Sequence, residues 1–100
     1  MSARTTGGAV QFILFSSSFC GSCRRTRQIL DTAARLVPEI EVIELNVADE
    51  PEIAEHEAIA STPTVILRDA TGTQIFRSAG VPNLNQVLAV AARGLDSNER

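Results

Sequence analysis

Lysine, tryptophan and tyrosine are absent from the 100 residues, and all nine basic side chains are Arg. Without lysine, mechanisms built on a Schiff base or on a phosphate-loop lysine are excluded. Cys20, Cys23 and His56 are the only Cys and His side chains. The Cys and His of one chain therefore cannot complete a four-ligand zinc or iron–sulfur site. Two cysteines also fall far below the density of a small secreted domain stapled by disulfides. The apolar run Ala9–Phe15 is interrupted by Gln11 and is far shorter than the ~20 residues of a membrane-spanning helix. It does not read as the core of a signal peptide either, because Phe19 stands before Cys20 where a processing site wants a small residue. A formal charge of −3 offers no generic basic face for nucleic acid or acidic lipid. The expectation is a cytoplasmic monomer with no nucleic-acid or membrane partner.

What is present is the composition of one small globular domain. Hydrophobic residues make up 44% and charged ones 21%, which excludes a disordered chain. Residues 1–8 lack an apolar period and are expected to form a flexible tail, followed by a domain over 9–95 and a second tail over 96–100. Ala9–Phe15 has the length and two-sided apolarity of a central strand. From Cys20 the spacing becomes helical, with Ile29, Leu30, Ala33, Ala34 and Val37 on one face, and Pro38 stops the helix. Arg24, Arg25, Arg27 and Arg35 are left for the wet side. Ile40–Val47 is the second strand, with Ile40, Val42, Glu44 and Asn46 sharing a face.

Pro51 opens a short helix predicted over Pro51–Ala58, covering the sheet through Ile53 and Ala54. Thr64–Arg68 and Thr73–Ala79 form a hairpin whose turn places Gly72 in the left-handed position. Asn83 caps the last helix, Leu84, Val87, Leu88 and Ala91 are its buried stripe, and Gly94 is its expected stop. The order β-α-β-α-β-β-α predicts an α/β domain with a mixed four-stranded sheet covered by helices on both faces.

Cys20-Gly21-Ser22-Cys23 lies where the first strand gives way to the first helix. Unpaired N–H groups and the positive dipole end favour a thiolate there, and cysteines one helical turn apart are near enough to bridge. Alone, the tetrapeptide favours redox chemistry but is also readable as half a metal site, weakened here by the lack of distant partners, or as an incidental buried pair. A second feature lies in Ser61-Thr62-Pro63-Thr64, a proline at the entrance to a strand.

Together, Phe15-Ser16-Ser17-Ser18-Phe19-Cys20-Gly21-Ser22-Cys23-Arg24, Asn46-Val47-Ala48-Asp49-Glu50-Pro51, Thr62-Pro63-Thr64-Val65 and Gly80 resemble the thioredoxin superfamily over about Ala9–Leu95. The resemblance implies a minimal thioredoxin-like fold with sheet order 2-1-3-4 and a thiol–disulfide oxidoreductase that exchanges disulfides with protein substrates. Cys20 is then the nucleophile and Cys23 the resolving cysteine, with no cofactor or metal beyond the Cys20–Cys23 redox disulfide. Pro63 is expected to be cis, exposing the Thr62 backbone to an extended substrate. Phe19, Gly21, Ser22, Ser61, Ala79 and Gly80 are expected at the docking surface. The reductant is expected to be an unidentified reductase or glutathione. A glutathione-dependent glutaredoxin-like enzyme is the nearest alternative, weakened by Ser78-Ala79-Gly80-Val81-Pro82-Asn83 after the hairpin. A thioredoxin-like binding module without turnover is another.

The chain departs from that family in five places. Phe19 replaces the Trp before the first Cys, and Gly21-Ser22 replaces Gly-Pro. Only eight residues precede Ala9, so the family's first strand and helix are expected to be absent. Leu14, six residues before Cys20, stands where thioredoxins bury an Asp. Glu44 stands where they carry a Lys on the neighbouring strand. Glu44 shares its face with Ile40 and Val42, where desolvation raises a carboxyl pKa, and it is therefore expected to accept the proton of Cys23. The alternative is that its head group turns to water. His56, among Glu52, Glu55 and Glu57, is expected at the surface.

Overall fold

Strand β1 (Val10–Ser16) lies between β2 (Ile40–Asn46) and β3 (Thr64–Arg68), and its neighbours on both sides explain its length of apolar sequence. The computed structural model describes residues 9–98, so the expected tail over 1–8 lies outside the described residues. β1 runs parallel to β2, with Leu14 beside Glu44 and Ser16 beside Asn46. It runs antiparallel to β3, which pairs antiparallel with β4 (Gln74–Ala79). The sheet order is thus β2-β1-β3-β4, the expected mixed four-stranded arrangement. Gly72 takes φ +88° in the β3–β4 turn. There the Asp69 carboxylate accepts from the Thr71 hydroxyl at 2.6 Å and from the Thr71 and Thr73 amides at 3.0 and 3.1 Å.

Period-2 alternation divides the core between the two faces of the sheet. Val10, Phe12 and Leu14 of β1 and Val65 and Leu67 of β3 are buried on one side. Against them pack Leu30 and Ala33 of α1 (Gly21–Leu36) and Val87, Val90 and Ala91 of α3 (Leu84–Asn98). Ile66, Arg68 and Arg77 share the other face. Both arginines reach Glu57, Arg68 at 2.7 Å and Arg77 at 3.6 Å, placing the end of α2 (Pro51–His56) over that side.

Two expectations about the helices are corrected. α2 buries none of its residues, and Ile53 is 41% exposed. The helix stops at His56, and the chain turns away at Ala58, which takes φ +57°. α3 is capped as expected, with Asn83 Oδ1 accepting from the Gln86 amide at 2.8 Å. It does not end at Gly94, however, but continues to Asn98. Residues 96–98 of the expected tail are therefore helical, and 99–100 lie outside the described residues. Gly94 serves close approach: a Cβ there would lie 2.8 Å from Ile75 Cδ1 and 2.9 Å from Val10 Cγ1.

Candidate active site

α1 begins at Gly21, after the short loop that leaves β1, with Cys20 as its N-cap. Cys20 has an extended backbone, and its Sγ accepts the Cys23 amide at 3.1 Å. A sulfur atom thus fills a position usually held by a Ser, Thr or Asp oxygen. Cys20 and Cys23 are joined in a disulfide with their Cα atoms 5.2 Å apart. Cys23 faces the core at 1% exposure, whereas Cys20 is half-buried. One turn further on, the buried Thr26 donates its hydroxyl to the Ser22 carbonyl at 2.8 Å.

The second wall of the site comes from the entrance to β3. The Thr62–Pro63 peptide is cis, and Pro63 is buried. Gly80, at φ +96°, donates its amide to the Pro63 carbonyl at 2.8 Å, so the end of β4 lies beside this proline. Thr64 Oγ1 donates to the Ser61 carbonyl at 2.7 Å and closes the loop from the other side. The backbone N–H and C=O of Thr62 make no hydrogen bond among the described residues. Its side chain does: Thr62 Oγ1 lies 2.8 Å from Ser17 Oγ in the loop that carries Cys20. A recess of about 220 Å³ lined by Val47, Ile59, Ala60, Ser61 and Thr62 adjoins this edge. A larger one of about 270 Å³ borders Val10, Gln11, Arg68 and Gly72 and holds neither cysteine.

The remaining expected site residues are distributed around this pair. Phe19 is fully exposed and takes φ +60°, a left-handed conformation uncommon for an aromatic residue. Gly21 is exposed, and a Cβ there would meet only Arg24 Nη2, at 3.8 Å. Ser22 is half-buried, while Ser61 and Ala79 are exposed. His56 is at the surface.

Glu44 differs from its expectation. Arg27 Nε and Nη2 donate to its two carboxylate oxygens at 2.5 and 2.6 Å, and the buried Ser16 hydroxyl donates at 2.7 Å. The hydrogen bond from Arg27, more than any desolvation, decides the carboxyl pKa, and it lies below rather than above the usual value. No hydrogen bond links Glu44 to Cys23 among the described residues. Arg27 was therefore the residue missed. Helical spacing placed it on the wet side of α1, and only the docking of α1 on β2 brings it over Glu44. Ser16, Ser17 and Ser18 were also missed, since a run of three hydroxyls carries no directional signal by itself.

A disulfide at a helix N-terminus, flanked by a strand entered through a cis-proline, defines a thiol–disulfide oxidoreductase of the thioredoxin-like class. The comparisons with known proteins agree. The Thioredoxin family model matches residues 8–92, and the chain belongs to the thioredoxin family. It is 24% identical over 92 residues to the thioredoxin of Chlamydia trachomatis serovar D, covering 91% of this chain and 88% of that protein. Among solved structures, thioredoxin-2 of a malaria parasite superposes with a TM-score of 0.79 at 19% identity, over 85% of this chain and 82% of that one. Fasciola hepatica thioredoxin gives a TM-score of 0.75 at 23% identity, over 87% and 82%. As a member of this family, the protein is a thiol–disulfide oxidoreductase.

Proposed function

We propose that the protein exchanges disulfides with protein substrates, with Cys20 as nucleophile and Cys23 as resolving cysteine. The observation that carries this reading is the asymmetry of the pair: Cys20 is reachable at the helix start and Cys23 is buried one turn in. In the reduced protein the helix N-terminus favours the Cys20 thiolate. That thiolate attacks one sulfur of the substrate disulfide, forming a Cys20–substrate mixed disulfide and expelling the other substrate sulfur as a thiolate. Cys23 then gives up its proton and attacks Cys20 Sγ. The Cys20–Cys23 bond forms, the second substrate thiolate leaves, and two electrons have passed from the dithiol to the substrate. A thiol or dithiol donor, either glutathione or a reductase, returns them.

An extended substrate segment pairs with the free backbone of Thr62 beside Pro63, and Phe19, Gly21, Ser22 and Gly80 border it. The chemistry runs on the cysteine pair without a cofactor or metal. Among the described residues no helix is long and apolar enough to cross a membrane. The proposed setting is the cytoplasm, where a bridge of this kind is transient, and the proposed working form is a monomer.

Trapping provides the test. Cys23→Ser, offered protein disulfides, is expected to accumulate covalent Cys20–substrate adducts that dithiothreitol releases, while the unsubstituted protein turns over without them. Failure of both proteins to react with protein disulfides would leave a binding module. Turnover that requires glutathione would give the glutaredoxin-like alternative.

A further inference from the structure

The run Ser16-Ser17-Ser18 is used by neither the cysteine chemistry nor the core, yet each hydroxyl has a partner in another element. Ser16 Oγ donates to Glu44 Oε2 at 2.7 Å, Ser17 Oγ lies 2.8 Å from Thr62 Oγ1, and Asn46 Nδ2 reaches Ser18 Oγ at 3.5 Å. The first joins the end of β1 to β2, the last ties the loop to β2, and the Ser17 contact ties the loop to the residue before Pro63. The loop has reason to be braced. Between Ser16 and Gly21 the chain leaves a strand, passes Phe19 at φ +60° and enters a helix capped by Cys20. A residue in the left-handed region persists only where its surroundings fix it.

Of the three contacts, Ser17–Thr62 spans the site itself. Among the described residues no other hydrogen bond joins the loop carrying Cys20 to the loop carrying the unpaired Thr62 backbone. From this geometry, and resting on the reading that protein disulfides are the substrates, we infer that Ser17 and Thr62 are positioning residues for extended substrates. The hydroxyl pair sets the distance between the pairing edge at Thr62 and Cys20 Sγ. A segment bound to that edge then presents its disulfide in line with the attacking sulfur, and loosening the pair costs alignment. A small disulfide makes no use of the edge, so its reaction with Cys20 is indifferent to the pair.

The experiment compares two reactions of the reduced full chain, one with an extended peptide carrying a mixed disulfide and one with hydroxyethyl disulfide. Ser17→Ala and Thr62→Val are each expected to slow the peptide reaction about fivefold, the scale of one half-buried hydrogen bond. The reaction of Ser17→Ala with hydroxyethyl disulfide stays within about twofold of the parent. The double variant falls no further than about twofold below the weaker single one, because both remove the same contact. Ser17→Thr keeps the hydroxyl and the parent rate, which separates positioning from a folding defect. Equal slowing of both disulfides, independent multiplicative losses in the double variant, or no loss at all would overturn the inference. A parent protein that reduces hydroxyethyl disulfide and not the peptide would instead overturn the reading beneath it.

Discussion

Arg27 grips Glu44 with two donors, Nε to Oε1 at 2.5 Å and Nη2 to Oε2 at 2.6 Å, and so joins the second turn of α1 to the edge of the sheet. The pair holds the Glu44 carboxyl below its ordinary value of 4.5. Folding therefore favours the ionised form, and the stabilisation is complete above that value and lost as pH falls through the lowered one. Because both side chains are partly exposed, solvent screening keeps the contribution to at most about 1 kcal/mol. Urea unfolding is expected to show Glu44→Gln slightly less stable than the parent at about pH 7, with the two converging as acid protonates the carboxyl.

The same pairing bears on proton transfer. A carboxylate kept ionised by an arginine is a weak base, poorly matched to a thiol. Glu44→Gln is expected to leave the pH dependence of Cys23 alkylation in place. A displacement of about one pH unit, the equivalent of ~1.4 kcal/mol, would restore Glu44 as the proton acceptor.

Leu14 is fully buried among Leu30, Val65 and Val87. Reintroducing the family's acid as Leu14→Asp puts a carboxyl where no partner exists and where its register neighbour, Glu44, already has one. A loss of about 3–5 kcal/mol in urea unfolding is expected at about pH 7. Acid is expected to recover part of it, since burial raises this carboxyl's pKa and protonation removes the buried charge. The trend runs opposite to that of Glu44.

Glycine-to-alanine changes inside helices ordinarily stabilise by up to about 1 kcal/mol. Gly94→Ala is expected to do the reverse, losing about 1 kcal/mol net, because its methyl meets the buried Val10 side chain and Ile75 at under 3 Å. The denaturation midpoint reads the sign directly.

Phe19 supplies the converse case. Its ring is wholly in solvent and its backbone is left-handed. Phe19→Asn is expected to hold or raise stability, by up to about 1 kcal/mol, although an aromatic ring is removed. Reactivity toward the peptide disulfide is expected to fall in the same variant if the ring contacts substrate.

The strands were legible in the sequence because alternation and turn residues act locally, whereas the sheet order followed only from the family resemblance. Thr64–Arg68 came out to the residue, and Gly72 and Asn83 were identified from their neighbours alone. The errors fell where one residue serves two physical ends. Glycine near a helix end marks either a stop or a close approach, and only Val10 and Ile75 arriving from the sheet decide for Gly94. Parity placed Glu44 on the correct face of β2, but its charge state depends on Arg27, seventeen residues away in sequence. Ile53 has the right spacing to be buried, yet a helix of six residues ends before it can settle that face on the sheet.

Because Cys20 Sγ is the atom that caps α1, a substitution here that removes the acceptor does not test chemistry alone. Cys20→Ala removes the nucleophile and also leaves the Cys23 amide without its acceptor, at a cost of about 0.5–2 kcal/mol to the helix end. Cys20→Ser removes the thiol and keeps a capping oxygen. An inactive alanine variant that also unfolds early therefore reports on the start of a helix, and the serine variant is the control that isolates the sulfur.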